Sequence, residues 1–221
     1  MLKQGDFVEL EYVGKIKESL EVFDTTSKEL AEKEGILDEH SNYGPAIISL
    51  GAHQLLQGLE DQLVGKEPGK DYTIELSPEI AFGKKDAKLL KLISTAKFRK
   101  QGIKAQPGLR INIDGMIGTI KTVTGGRTIV DFNHPLSGKE IIYEVKVLKV
   151  IKNTEDQIKG LLKVELMQEN AIVKVTEKKA TIKLNMEIPK EYLDKFKEKA
   201  LKLVPTISDI FFTTNLNTKK E

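Results

Sequence analysis

The sequence has no cysteine, no tryptophan, three histidines and seven prolines in 221 residues. Without cysteine there is no disulfide, no thiolate nucleophile and no cysteine-ligated zinc or iron–sulfur centre, which fits a reducing, cytoplasmic setting. His40, His53 and His134 are too far apart in sequence to suggest a histidine metal site, so neither a metal nor another cofactor is expected. No apolar run approaches the roughly 18 residues of a membrane span. The opening Met1-Leu2-Lys3-Gln4-Gly5-Asp6 lacks the basic-then-apolar layout of a secretory signal. Walker and Rossmann glycine patterns are missing, and no nucleophile–base pair stands out. What is present is the composition of an ordinary globular protein, 39% hydrophobic and 31% charged, with length for one to three domains.

The net charge of +2 hides a sharp unevenness. Residues 1–83 carry 7 basic and 17 acidic side chains, residues 84–151 carry 14 and 5, and residues 152–221 carry 14 and 11. A reversal of sign near residue 84 marks an inserted or separate module. Its basic excess could attract nucleic acid, but a solvated lysine-rich face is the simpler reading, and there are no interleaved aromatics for base stacking.

Alternation in Asp6–Val13, with Val8, Leu10 and Tyr12 on one face, predicts a half-buried strand. Val22–Thr26 and Ile47–Leu50 are short strands, and Asp71–Leu76 alternates with Tyr72, Ile74 and Leu76 inward. Lys28–Glu39 has weak helical character. Leu55, Leu56, Leu59 and Leu63 form one helical stripe stopped by Gly65. Between Lys84 and Lys104 the apolar residues do not alternate, and Ser94 or Thr95 caps a short helix carrying Phe98. Strands Leu109–Asp114, Met116–Val123 and Arg127–Phe132 follow, with hairpins at Gly115 and Gly125-Gly126, then a long strand Ile141–Ile151. Lys152-Asn153 reads as a boundary. Thr154-x-x-Gln157 has the form of a capping box, ahead of the stripe Ile158, Leu161, Leu162 and Leu166. A hairpin around Glu177-Lys178-Lys179, a helix begun at Pro189 and a final strand Ile207–Thr213 complete an α-β-β-α-β unit. Taken alone, the pattern stops at an all-β or α+β protein with room for an apolar pocket.

Several segments resemble, in order and spacing, the FKBP-type peptidyl-prolyl cis/trans isomerases. They are Val8-Glu-Leu-Glu-Tyr-Val-Gly14, Val22-Phe-Asp-Thr-Thr26, Leu50-Gly-x-x-Gln-Leu-Leu-x-Gly-Leu-Glu60, Gly65-x-x-x-Gly69 and Ser77-Pro-Glu-Ile-Ala-Phe-Gly83. Val130-Asp-Phe-Asn-His-Pro-Leu-Ser-Gly-Lys139 resembles the SlyD branch, in which an insert-in-flap domain interrupts the isomerase. The resemblance implies an α+β protein in three parts. Residues 1–83 and 131–151 would be an FKBP-like antiparallel half-barrel sheet around a short helix. Residues 84–130 would be a small β-rich chaperone insert, and 152–221 a C-terminal α/β domain like that of long-chain archaeal members.

By the same resemblance, the isomerase pocket would contain Tyr12, Phe23, Asp24, Leu55, Leu56, Leu59, Phe82, Leu136 and Tyr143. The Leu56 N–H would hold a substrate carbonyl, and Asp24, oriented by Tyr12, would hydrogen-bond near the twisting amide. Leu59 stands where the family often has Trp, Phe82 where it usually has Tyr, and Ala46 where an aromatic is frequent; the histidine-rich tail of SlyD is absent. The insert carries Leu89, Leu90, Leu92, Ile93, Phe98, Ile103, Ile111, Ile113, Met116 and Ile117, more apolar residues than so short a segment buries. They are expected to capture unfolded chains. The expected partners are unfolded or proline-containing polypeptides and, because Phe211-Phe212 place aromatics on both faces of a strand, a second copy through the C-terminal domain. Neither membrane nor nucleic acid is expected. Two alternatives remain: a non-enzymatic scaffold with a decayed pocket, and a ribosome- or nucleic-acid-associated protein using the basic insert.

Overall fold

The computed structural model describes residues 1–39 and 41–214, so His40 lies outside the described residues. Its central strand is β1 (Phe7–Ile16). β2 (Val22–Thr25) pairs antiparallel with β1 at Val13–Lys15. After a short helix α1 (Lys28–Lys33), β3 (Ala46–Ser49) pairs with β1 at Phe7–Leu10. Helix α2 (Gln57–Leu63) and β4 (Lys70–Leu76) follow. Past the basic segment, β9 (Ile141–Val150) pairs with both β1 and β4, giving the order β2-β1-β9-β4. This is the expected antiparallel sheet with a short helix, and its inward row is buried: Val8, Leu10, Ile74, Leu76, Tyr143, Val145 and Val147, with Leu59 and Leu63 of α2. Only Leu59 and Leu63 of the expected four-leucine stripe lie in the helix; Leu55 and Leu56 are in the loop before it.

The chain divides into two compact units, residues 1–76 with the chain from Glu140 onward, and Ser77–Lys139. The second is wider than the expected insert of 84–130, because its flanks are tied together. Phe132 N–H donates to the Leu89 carbonyl at 3.0 Å, Gly138 N–H to the Gly83 carbonyl at 2.8 Å, and the Ser137 hydroxyl to the Phe82 carbonyl at 3.0 Å. It is a four-stranded antiparallel sheet in the order β5-β8-β7-β6, made of β5 (Leu90–Ser94), β6 (Arg110–Ile113), β7 (Met116–Thr124) and β8 (Arg127–Asp131), with helix α3 (Thr95–Lys100) between β5 and β6. β5 was not expected. Its apolar residues fall on both faces, with Leu92 exposed and Ile93 packed on the core, so no alternation shows.

From Glu140 onward the chain completes the first unit. Helix α4 (Thr154–Leu166), hairpin β10 (Ile172–Thr176) and β11 (Lys179–Leu184), helix α5 (Lys190–Leu203) and β12 (Asp209–Thr214) realise the expected α-β-β-α-β order, with β12 parallel to β11. The cap of α4 is Asn153, one residue before the expected Thr154. Its side-chain oxygen accepts from Asp156 N–H at 3.1 Å, while the Gln157 amide donates to the Ile151 carbonyl.

This segment is not a free-standing module. Phe7 of β1 and Ile151 share one apolar core with Ile158, Leu161, Val173, Ile182 and Phe196, and Ile47 of β3 packs against it. A Cβ built on Gly160 would sit 2.6 Å from the Cβ of Ile47, so α4 approaches β3 as closely as only glycine allows. Ile47 and Phe7 lie on the face of the sheet opposite Ile48 and Val8; Phe7 is buried in this core and Ile47 partly so.

Candidate active site

The second strand brings Phe23 and Asp24 beside β1, where Gly14 pairs with both Asp24 and Tyr143. Gly14 is inward, in line with Leu10, Tyr12 and Ile16, and a Cβ there would meet Phe23 at 2.8 Å and Tyr143 at 3.0 Å. The empty position lets three rings meet edge to face. Tyr143 lies 5.7 Å from Tyr12 and 5.8 Å from Phe23, centroid to centroid. The Tyr12 hydroxyl donates to the Asp24 carboxylate. Burial raises the Tyr12 phenol, and the Asp24 charge and the hydrogen bond add to that. Burial also raises the Asp24 carboxyl above the usual carboxylate range, against the lowering effect of hydrogen bonds from Tyr12 and from the Thr25 backbone. Tyr143 is raised chiefly by burial too.

Leu55 and Leu56 are delivered by a loop whose clamp is Glu60. This carboxylate, 2% exposed, accepts from the backbone N–H groups of Gly51, His53, Gln54 and Leu55 at 2.8, 3.2, 2.6 and 2.8 Å. Leu56 stands at the N-cap of α2, and its carbonyl accepts from Leu59 and Glu60. Among the described residues, nothing accepts the Leu56 N–H. Gln54 ties the loop further, its side chain accepting from Ser49 N–H at 2.8 Å and donating to Glu165 of α4 at 2.8 Å.

A cavity of about 350 Å³ opens here, lined by Tyr12, Phe23, Asp24, Ala46, Ile48 and Leu55, by polar residues including Thr25, Ser41, Asn42, Tyr43 and Gln54, and by Lys163, Val164 and Met167. Of the nine residues expected in the pocket, four line this cavity. Tyr143 is reached through its ring contacts, Leu59 is fully buried, and Leu56 is half-buried at the head of α2. Phe82 and Leu136 belong to the second unit. There the Phe82 ring stacks on His134 at 4.8 Å, and Leu136 N–H donates to the His134 ring. A larger hollow, about 800 Å³, lies where Glu11, Glu29, Asp71, Glu144, Lys28 and Lys146 are presented. Of the nine expected pocket residues only Tyr12 borders it.

Residues 1–99 match the family described as FKBP-type peptidyl-prolyl cis-trans isomerase, and residues 91–136 the one described as FKBP26, IF domain. The short-type peptidyl-prolyl cis-trans isomerase of Methanocaldococcus jannaschii is 31% identical over 150 residues, 68% of this chain and 94% of the relative. The chain belongs to the FKBP-type peptidyl-prolyl cis-trans isomerases. The FKBP-type 16 kDa isomerase of Escherichia coli is 33% identical over 114 residues, covering 50% of this chain and 76% of that one. SlyD of Vibrio cholerae is 31% identical over 136 residues, covering 59% and 67%. The protein is thus an isomerase acting on proline-containing polypeptides.

Sequence reasoning did not single out Glu60, Gly14, Gln54 or the α4 residues as lining or supporting this cavity. Glu60 carried a signal, since an acid beside Leu59 and three residues before Leu63 lies toward the buried stripe and must be paired. Gly14 carried one as well, a gap in an otherwise bulky inward row. Among the ten insert residues, Phe98 and Ile111 are buried, Ile93, Ile103 and Ile113 pack against them, and Leu89, Leu90, Leu92, Met116 and Ile117 are exposed. Ile129, not among the ten, pairs with Leu92 across β5 and β8 and is exposed too. Among the described residues, no helix is long and apolar enough to cross a membrane.

Proposed function

We propose that the cavity bounded by Tyr12, Phe23, Asp24 and Leu55 is where the X–Pro bond rotates, and that the second unit supplies the chains it acts on. The barrier to be lowered is about 18–20 kcal/mol. A planar amide is polar and well solvated, and a twisted one has lost much of that polarity. A site less polar than water, walled by Tyr12, Phe23, Ile48 and Leu55, therefore favours the twisted form over the planar one. In this reading Leu56 N–H holds a substrate carbonyl, and Asp24, set by the Tyr12 hydroxyl, hydrogen-bonds near the twisting amide. Each tenfold in rate takes about 1.4 kcal/mol off the barrier. The observation that carries the proposal is the half-buried Tyr12–Asp24 hydrogen bond beside a cluster of aromatic rings. In a proline tetrapeptide assay, Asp24→Ala and Tyr12→Ala should each cut kcat/KM substantially with a modest change in Tm; full activity in both would refute the assignment.

Capture rests on the outer face of the insert sheet, where Leu90, Leu92, Ile117 and Ile129 are exposed at 44%, 60%, 59% and 36%. Exposed apolar surface of this kind binds other apolar surface. Replacing residues 84–130 by a short flap should leave tetrapeptide activity and remove most acceleration of protein refolding. Equal loss on both substrates would reduce the insert to a structural part. The outer face of the C-terminal sheet, with Ile172 and Phe211 exposed at 53% and 46%, supports a second copy as an additional partner.

A further inference from the structure

Three of the cavity's lining residues come from α4 and its end, far in sequence from the isomerase motifs. Resting on the assignment of this cavity as the isomerase site, we infer that Val164 and Met167 form an apolar subsite for a substrate side chain next to the proline, making the C-terminal segment part of substrate selection.

Four observations carry this. First, the helix is fixed where it meets the cavity. Lys163 Nζ donates to the Tyr43 carbonyl at 3.0 Å and pairs with Glu169 at 3.0 Å, and Asn42 donates to the Lys163 carbonyl at 3.2 Å. Glu165 accepts from Gln54 of the pocket loop at 2.8 Å and from Lys199 of α5 at 2.7 Å. Rigid support of this kind is what a binding wall needs.

Second, the choice of residue at 167 runs against local folding. Met167 caps α4 in the left-handed conformation, φ 55°, a position where glycine is usual. A non-glycine residue there is strained, and Met167 is 67% exposed, so no core packing offsets the strain. An unbranched, polarisable thioether does suit a surface that accepts differing apolar side chains.

Third, Val164 is β-branched at a 36% exposed helical position, where straight-chain residues are the better helix formers. Fourth, the two residues border the same cavity as Phe23, Ala46 and Leu55, whose lining also includes the polar Ser41, Asn42 and Tyr43, and they add apolar surface to it. A chain threading an X–Pro bond past Asp24 carries its neighbouring side chain to this wall.

The test uses full-length protein and two substitutions that ease local strain, Met167→Gly and Val164→Ala. Peptides are varied between leucine and glycine immediately before and immediately after the proline. The wild type should prefer leucine at one of these positions. Each variant should lower that preference about three- to tenfold, the range for losing part of an apolar pocket, through KM rather than kcat, with Tm unchanged or raised. A wild type without preference, an unchanged preference in both variants, or an equal loss on every peptide would overturn the inference. Asp24→Ala in the same assay separates the two readings. If it is inactive while Met167→Gly and Val164→Ala keep the preference, only the subsite fails; if it is fully active, the cavity assignment fails.

Discussion

Asp24 is held with its carboxyl above the ordinary range by burial, while Tyr12 and the Thr25 backbone pull the other way. The protonated form therefore favours the folded state. That contribution is complete below the unfolded pKa of about 3.9 and is lost as the pH rises through the raised folded value, so at neutral pH the charged group costs stability. Asp24→Asn is expected to be more thermostable than wild type near neutral pH, with the gain shrinking to nothing as the pH falls below about 4. Isomerase activity of the wild type should fall over the same descent, as the acceptor for Tyr12 is protonated. Melting curves of both proteins across pH check the first, and rate profiles the second; a pH-independent difference in Tm would contradict the burial argument. Glu60 works differently. Its four backbone donors place Leu55 and Leu56, and hydrogen bonds to a charged group are worth about 1.5–3 kcal/mol each at most. Glu60→Ala should lower Tm by several degrees and kcat/KM with it, whereas Glu60→Gln, which keeps an acceptor, should recover part of both. Equal effects of the two would show that the clamp is not electrostatic.

At the scale of elements, α4 is the informative piece. Glycine in a helix interior is usually about 1 kcal/mol worse than alanine. At Gly160, however, the added Cβ would meet Ile47 Cβ and Cγ2 at 2.6 Å and its carbonyl oxygen at 3.0 Å. Overpacking of this sort costs typically 1–3 kcal/mol. Gly160→Ala is therefore expected to lower Tm and to loosen α4 from β3, measured by faster hydrogen exchange in both; a raised Tm would deny the close approach. Most elements were legible because one face is wet and one dry. β1, β4 and β9 alternate, and α5 shows its stripe with Phe196 and Ala200 buried. β5 was not legible, because Leu90 and Leu92 point to solvent and Ile93 to the core, which erases alternation. Nor was the docking of α4. Phe7 beside Val8 and Ile47 beside Ile48 look like continuous apolar runs, and only the structure shows that the two members of each pair face opposite sides, Phe7 and Ile47 toward the core shared with α4. The pocket residues on β1, β2 and the loop before α2 were legible through their resemblance to the family, whereas the cavity wall from α4 lies outside any motif.

For the whole molecule, the shared core of Phe7, Ile47, Ile151 and α4 makes residues 1–151 an incomplete unit. Truncation there should give a protein with a lower Tm and a tendency to aggregate, not an unchanged isomerase. Sedimentation of the full chain at tens of micromolar tests the second copy: a monomer would dismiss self-association through the sheet carrying Ile172 and Phe211. In the proposed function the two units serve one activity, capture on the insert and rotation in the Tyr12–Asp24 cavity. Its most direct measurement is the refolding of a model protein limited by prolyl isomerisation, a phase of tens of seconds or more without catalysis. The full chain is predicted to accelerate that phase at substoichiometric concentration, and Asp24→Ala to lose most of the acceleration. No acceleration by the full chain even at equimolar concentration would contradict the account.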